Sequence, residues 1–344
     1  MTSPSKPMFP HTIDSTMLST FRSCPQKMFR QYVEHWKPKT ESVHLVAGGA
    51  FAKGIEVARK AYFEGIAISG TPIRSITPSG EPLYSVTWAE APCELGNQAL
   101  AESLGVAALI CAYGDFDCPP DSAKSIERTA GALEFYYEQY PFGEDGANPI
   151  TFPGGRRGIE FSFAEPLSVQ HPVTGNPILY TGRSDMVAEY NAGEYVFDEK
   201  TASQLGASWP RQWELRSQFT GYVWAARRAG RPVTGAVVRG ISILKTKYDT
   251  LQSITHRSPY EIDRWEQQTL RDLKRMIQCW QEGYWDWNID HACAEYGGCT
   301  FTQVCKSANP ETWLPMYFEQ RVWDPLERTQ KTVAEYEAKW GHHG

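Results

Sequence analysis

Residues 182–201, GRSDMVAEYNAGEYVFDEKT, decide how this chain reads. Both halves are rich in apolar, β-branched and aromatic residues, and Asn191 to Gly193 between them are turn formers, so the stretch predicts a β-hairpin. Asp185 lies near the start of one strand and Asp198 near the end of the other, so folding the hairpin brings the two carboxylates together. Two carboxylates on adjacent strands suit a hard cation, because Mg²⁺ takes oxygen ligands and keeps several waters. Lys200 follows Asp198 by two residues, which on a strand puts both side chains on one face. An ammonium there can orient a nucleophile or stabilise charge developing on a phosphate. A lone D-x-K triplet also fits a solvated strand end, so the elements around it decide.

Working outward, residues 158–169 (GIEFSFAEPLSV) and 177–190 read as strands, followed by a helix over 211–229, a strand over 233–244 and a helix over 259–283. Upstream, Ser15 is a candidate N-cap for a helix through residues 17–36, which Pro25 breaks or restarts. In residues 49–65, Phe51, Ile55, Ala58 and Tyr62 recur at helical spacing. Residues 69–82, rich in Gly, Pro and Ser, read as a loop, and 94–113 and 122–140 as helices. This order predicts an α/β protein with a central mixed sheet flanked by helices. Its expected parts are a flexible arm over residues 1–14, a domain over 15–306 with a helical insertion at about 66–150, and a C-terminal extension over 307–344.

The 344 residues suffice for a sizeable core, and 41% hydrophobic content with 12 Trp and 17 Tyr argues against long disorder. No apolar run reaches transmembrane length and the first residues lack a signal-peptide pattern, so a soluble cytoplasmic protein without a membrane partner is expected. The net charge of −6 hides basic groups at Arg156–Arg157, Arg227–Arg231 and Lys245–Lys247, and carboxylates that gather a divalent cation contribute to the same sum. Trp209, Trp213 and Trp224, near Arg211, Arg216 and Arg227, read first as core aromatics and second as stacking sites for a single strand.

In this order and spacing the motifs resemble the RecB-like PD-(D/E)XK nucleases, a group that includes AddB-type helicase–nucleases and phage exonucleases. The resemblance runs from about Ser15 to about Cys305. Gly182 to Asp185 is similar to the family's second motif; Asp198, Lys200 and Thr201 to its D-x-K-T strand end; Gln218 and Tyr222 to its Q-x-x-x-Y helix. The first motif, G-x-x-x-H-x-x-x-E, is matched by Gly48 to Glu56 except that Ala52 stands where the family has histidine. What the resemblance implies is a restriction-endonuclease-like fold and hydrolysis of DNA with Mg²⁺ or Mn²⁺. Glu56, Asp185 and Asp198 would be metal ligands, Lys200 the catalytic ammonium and Gln218 an auxiliary, with Tyr222, Arg183 and Thr201 against the DNA.

Eight cysteines without a secretion signal are expected as thiols or metal ligands. Cys293, Cys299 and Cys305 are evenly spaced, whereas Cys93, Cys111, Cys118 and Cys279 are scattered. Iron-cluster members of the same family carry one Cys in an N-terminal S-x-x-x-x-C-P-x-x-F segment, as Ser19 to Phe29 does here, and three after the core. The resemblance therefore implies that Cys24, Cys293, Cys299 and Cys305 hold a [4Fe–4S] cluster, with zinc as the alternative. It further implies an exonuclease acting on ends or single strands in recombination or repair, of phage or prokaryotic kind, with a recombination partner protein. No G-x-x-x-x-G-K-[ST] motif is present, so a stand-alone nuclease is expected. Two rival readings are a catalytically weakened DNA-binding scaffold, which Ala52 motivates, and an RNA-processing nuclease with a zinc staple.

Overall fold

The chain enters its core earlier than the sequence suggests. The computed structural model describes residues 6–76, 82–119, 121–289, 292–294, 298–323 and 325. Phe9 and Ile13 are buried, and Thr12–Ile13 (β1) pairs in parallel with Leu179 and Tyr180 of the central sheet, so the expected arm is core from Phe9 onward. Asp14, not Ser15, caps the first helix, Ser15–Ser23 (α1), by accepting a 2.7 Å hydrogen bond from Met17 N. Pro25 restarts the chain as Pro25–Met28 (α2), which runs into a π-helical turn, Phe29–Val33, and Trp36–Pro38 (β2).

The first long helix, Val43–Glu64 (α3), starts upstream of the periodic stretch and stops at Gly65 in the left-handed region. Residues 69–82 are not a plain loop. Ile66–Ile76 (β3) and Pro82–Pro92 (β4) form an antiparallel two-stranded ribbon from Ile66↔Pro92 to Ile76↔Pro82. A separate ribbon leaves both outer edges open, which tolerates Pro72, and Ile66, Ile68 and Trp88 pack on Val57 and Ala108. The Gly and Pro residues masked that apolar signal. Gln98–Tyr113 (α4) and Ile126–Gln139 (α5) follow where helices were expected over 94–113 and 122–140, so the segment expected as a helical insertion also carries the ribbon.

Asn148–Pro149 (β5), Ile159–Gln170 (β6), Pro177–Tyr190 (β7) and Gly193–Ala202 (β8) follow. The turn between β7 and β8 puts Asn191 and Ala192 at positive φ, the conformation a two-residue hairpin loop demands. Ser217–Arg228 (α6) crosses over to Gly235–Ile243 (β9), and Tyr248–His256 (β10) returns antiparallel beside it. β10 is a half-exposed edge strand of mixed polarity, which is why sequence patterning missed it. The mixed seven-stranded sheet runs β1-β7-β8-β9-β10, with β5 and β6 also on β7. Helices α3 and α5 cover one face; α1, α6 and Pro259–Glu282 (α7) cover the other, giving the layered α/β architecture expected of a restriction-endonuclease-like core. Beyond α7, Thr302–Lys306 (α8) and Pro310–Tyr317 (α9) lead to Phe318–Gln320 (β11), which pairs with β2. Among the described residues no helix is long and apolar enough to cross a membrane.

Candidate functional site

Strands β7 and β8 pair from Tyr190↔Gly193 to Met186↔Phe197 and then separate. Past that point β7 follows β6, while β8 follows β9 through Asp198↔Val238. Ser184 closes the base of this fork by donating to the Phe197 carbonyl at 3.1 Å. Asp185 and Asp198 are the first residues beyond it. The Asp185 carboxylate accepts the backbone N–H of Glu199 at 3.0 Å, which locks the two strands across the opening. Asp198 forms an ion pair with Lys200, and Gln218 of α6 donates to Asp198 Oδ1 at 3.5 Å and to the Tyr222 hydroxyl at 3.0 Å. The structure thus brings Asp185, Asp198, Lys200, Gln218 and Tyr222 together.

The charges there do not balance. Burial, then Asp198, Glu199 and Glu160, pushes the Asp185 carboxyl well above the usual carboxylate range, with Lys200 opposing. Burial also raises Asp198 against the pull of Lys200. Burial alone would lower Lys200, but Asp198 and Asp185 outweigh it and hold its ammonium above the usual lysine range. Arg59 and Arg183 take up Glu199 and Glu160, so Asp185 and Asp198 share the Lys200 ammonium, and the surplus is one carboxylate of hard oxygen donors. A small divalent cation fits that donor set and offsets that repulsion.

The other predicted residues lie on the α3 side. Glu56 pairs with Lys53 at 3.0 Å and Lys60 at 3.5 Å. Burial would raise its carboxyl, but Lys53, Arg183 and Lys60 together hold it below the usual range. Arg183 pairs with Glu160 at 2.8 Å. A Cβ on Gly48 would stand 3.4 Å from the Thr201 hydroxyl, so the start of α3 rests on the end of β8, with Ala52 one turn further along. Sequence reasoning missed Glu160, which stands opposite Asp185 between the pairs Ile159↔Met186 and Phe161↔Ser184 with φ of 51°. A non-glycine residue in that region is strained, and its only trace in the sequence is an acid inside an apolar run. Also missed was the support behind the site: buried Arg59 grips Glu199 with two hydrogen bonds, Tyr136 donates to the same carboxylate at 2.9 Å, and Arg239 joins Tyr136 to Asp145. Arg59 falls on the apolar stripe with Ile55 and Tyr62, a placement that itself calls for a buried partner.

Cys24, Cys293, Cys299 and Cys305 line one cavity. Burial, then Cys299, Cys24 and Cys293, pushes the Cys305 thiol up to about 11, so the four sulfurs are electrostatic neighbours. Thiol groups gathered this way suit a thiophilic metal centre. The other cysteines sit apart: Cys93 bonds toward the Ala61 carbonyl, Cys118 toward that of Lys124, Cys111 lies by Gly70, and Cys279 is in α7. Among the described residues no group of three or more His, Cys, Asp or Glu side chains is placed so that it could hold a metal ion. Trp209, Trp213 and Trp224 are buried and pack edge-on or tilted against other rings, so they belong to the core and are not open to stack on a strand.

Among solved structures the chain is similar to the protein SSO0001 at 14% identity and a TM-score of 0.25, covering 44% of this chain and 64% of that one, under two thirds of its length. It is also similar to a candidate exonuclease from Eubacterium rectale at 11% identity and a TM-score of 0.43, covering 84% of this chain and 90% of that one. No curated protein matches. The sequence profile of the PD-(D/E)XK nuclease superfamily matches residues 15–306, from the first residue of α1 to the last of α8. A match over that much of the chain is decisive: the protein belongs to the PD-(D/E)XK nuclease superfamily.

Proposed function

We propose that this nuclease hydrolyses DNA phosphodiesters as a metal-dependent exonuclease working on ends or single strands. The observation that carries the reading is the meeting of Asp185, Asp198, Lys200 and Gln218 at the mouth of the forked sheet. Asp185 and Asp198 are the principal oxygen donors to Mg²⁺ or Mn²⁺, with Glu56 the third carboxylate from α3. When bound, the cation supplies Lewis acidity, acidifying a water nucleophile and offsetting phosphoryl charge. Lys200, held by Asp198, presents its ammonium to the charge that develops on the phosphate. The Gln218 amide, steadied by Tyr222, fixes Asp198 and orients the nucleophile. Arg183 and Thr201 flank the same opening and meet the DNA backbone.

Cys24, Cys293, Cys299 and Cys305 hold a [4Fe–4S] cluster that ties the two ends of the nuclease domain, in the manner of the RecB- and AddB-like branch. A role in recombination or repair with a protein partner follows from that branch. One observation favours a second reading, a weakened DNA-binding scaffold: Ala52 leaves the expected imidazole out of the site. Digestion of end-labelled single- and double-stranded DNA in Mg²⁺, Mn²⁺ and EDTA separates the two. Metal-dependent release of short products from ends supports the exonuclease; intact DNA under all conditions, with binding retained, supports the scaffold. Anaerobic purification and an absorption spectrum test the cluster, and a colourless, iron-free protein would sink it.

A further inference from the structure

We propose that the groove between α1 and the segment 211–218 holds the sugar–phosphate backbone of a single strand next to the phosphodiester being cut. This rests on the nuclease reading above and adds to it the path of the strand. The groove is open and about 500 Å³ in volume. That lies within the ~300–1,000 Å³ range of small-ligand sites, room for one or two nucleotides of a strand.

Its walls have complementary chemistry. From α1 come the hydroxyls of Thr16 and Ser19, one turn apart on an exposed face, and the guanidinium of Arg22. From the facing segment come Arg211 and Arg216. Arg59, Arg183, Arg228, Arg231 and Arg239 each meet a carboxylate, and so does Arg22 through Asp272. Arg211 and Arg216 are exposed and, among the described residues, meet none. Among the described residues Glu214 is the single carboxylate lining the groove, against Arg211 and Arg216, the Arg22 guanidinium being taken up by Asp272. Leu215, 78% exposed on the same wall, offers an apolar face to a base. Buried Trp209 and Trp213 anchor the segment, so its arginines project from a fixed support. The groove ends at Gln218, whose amide reaches Asp198, so a strand lying in it leads directly to the fork.

The test is the salt dependence of binding to fluorescein-labelled oligo(dT), read by anisotropy in EDTA. Wild type is compared with Arg211→Gln/Arg216→Gln and with a control of equal charge change on the exposed face of α7, Arg271→Gln/Lys274→Gln. Melting temperatures verify folding. Each lost single-strand phosphate contact lowers the slope of log K against log salt by about 0.7, so the groove variant should lose about 1.4 and the control nothing. The groove variant should also raise KM for oligo(dT) cleavage in Mn²⁺. An unchanged slope in the groove variant, or an equal loss in the control, overturns the groove while leaving the nuclease reading intact. A wild type that cleaves no oligo(dT) in Mn²⁺ sinks that underlying reading, and the groove falls with it.

Discussion

Arg59→Met should destabilise the protein more than any surface change of similar size. The Arg59 and Glu199 side chains are 2% and 1% exposed, and the pair is bidentate. Removing the cation leaves a carboxylate buried with Tyr136 as its remaining hydrogen-bond donor. Breaking a buried pair from one side costs about 3–5 kcal/mol. At about 2 °C per kcal/mol, the lower end of the range for domains of 150–250 residues, the melting temperature should fall by about 6–10 °C. The assay is thermal and urea unfolding in EDTA, so that a bound cation does not contribute. Glu199→Leu alone should cost a similar amount, because it strands the guanidinium. The double variant, which removes both charges, should cost far less than the two singles added, because apolar replacement of a whole buried pair is often neutral. A single-variant cost below about 1 kcal/mol, or a double-variant cost equal to the sum, would refute the claim that this pair is a closed, desolvated unit.

Asp185→Asn should lower cleavage of labelled DNA by about 100-fold or more while the melting temperature holds, since the amide keeps an oxygen for the Glu199 N–H. Lys200→Ala should lower it as much with some loss of melting temperature, since it strands the buried Asp198 carboxylate. Near-normal turnover in either would show that the chemistry lies elsewhere. Ala52→His should tighten Mn²⁺ binding in titration calorimetry by adding a nitrogen donor; unchanged affinity would mean α3 does not face the cation. Cys24→Ser should give a colourless protein less stable by a few kcal/mol, as expected for losing a link that closes a long loop, whereas Cys118→Ser should keep its iron. Gly105→Ala should cost about 1–3 kcal/mol, because the new methyl would sit 2.2 Å from the Tyr137 hydroxyl and 2.8 Å from the Gly54 carbonyl at the α3–α4 crossing. A melting curve that matches wild type would show that the crossing yields.

What could be read from sequence, and what could not, follows from how far apart the cooperating residues lie. Asp185, Asp198 and Lys200 belong to one hairpin, so alternation and turn chemistry sufficed to bring them together. The fork could not be read, because it depends on β8 leaving β7 to follow β9 across the α6 crossover. For the same reason Glu160, on a third strand, and the Arg59–Glu199–Tyr136 unit, assembled from α3, β8 and α5, went unseen. Helix α3 shows what the structure adds even where the sequence already gave a motif. Gly48 rests on Thr201 and Arg59 grips Glu199, so the helix lies against β8 along a stripe that begins and ends at those contacts. Ala52 is four residues from Gly48 and seven from Arg59, spacings that keep it on the stripe. The missing imidazole is therefore missing from a position pressed toward the strand that carries Asp198 and Lys200, not from a helix turned away. The same packing fixes Glu199, whose N–H holds the Asp185 carboxylate, so the aspartate geometry is set by a buried ion pair and does not wait on a ligand from position 52.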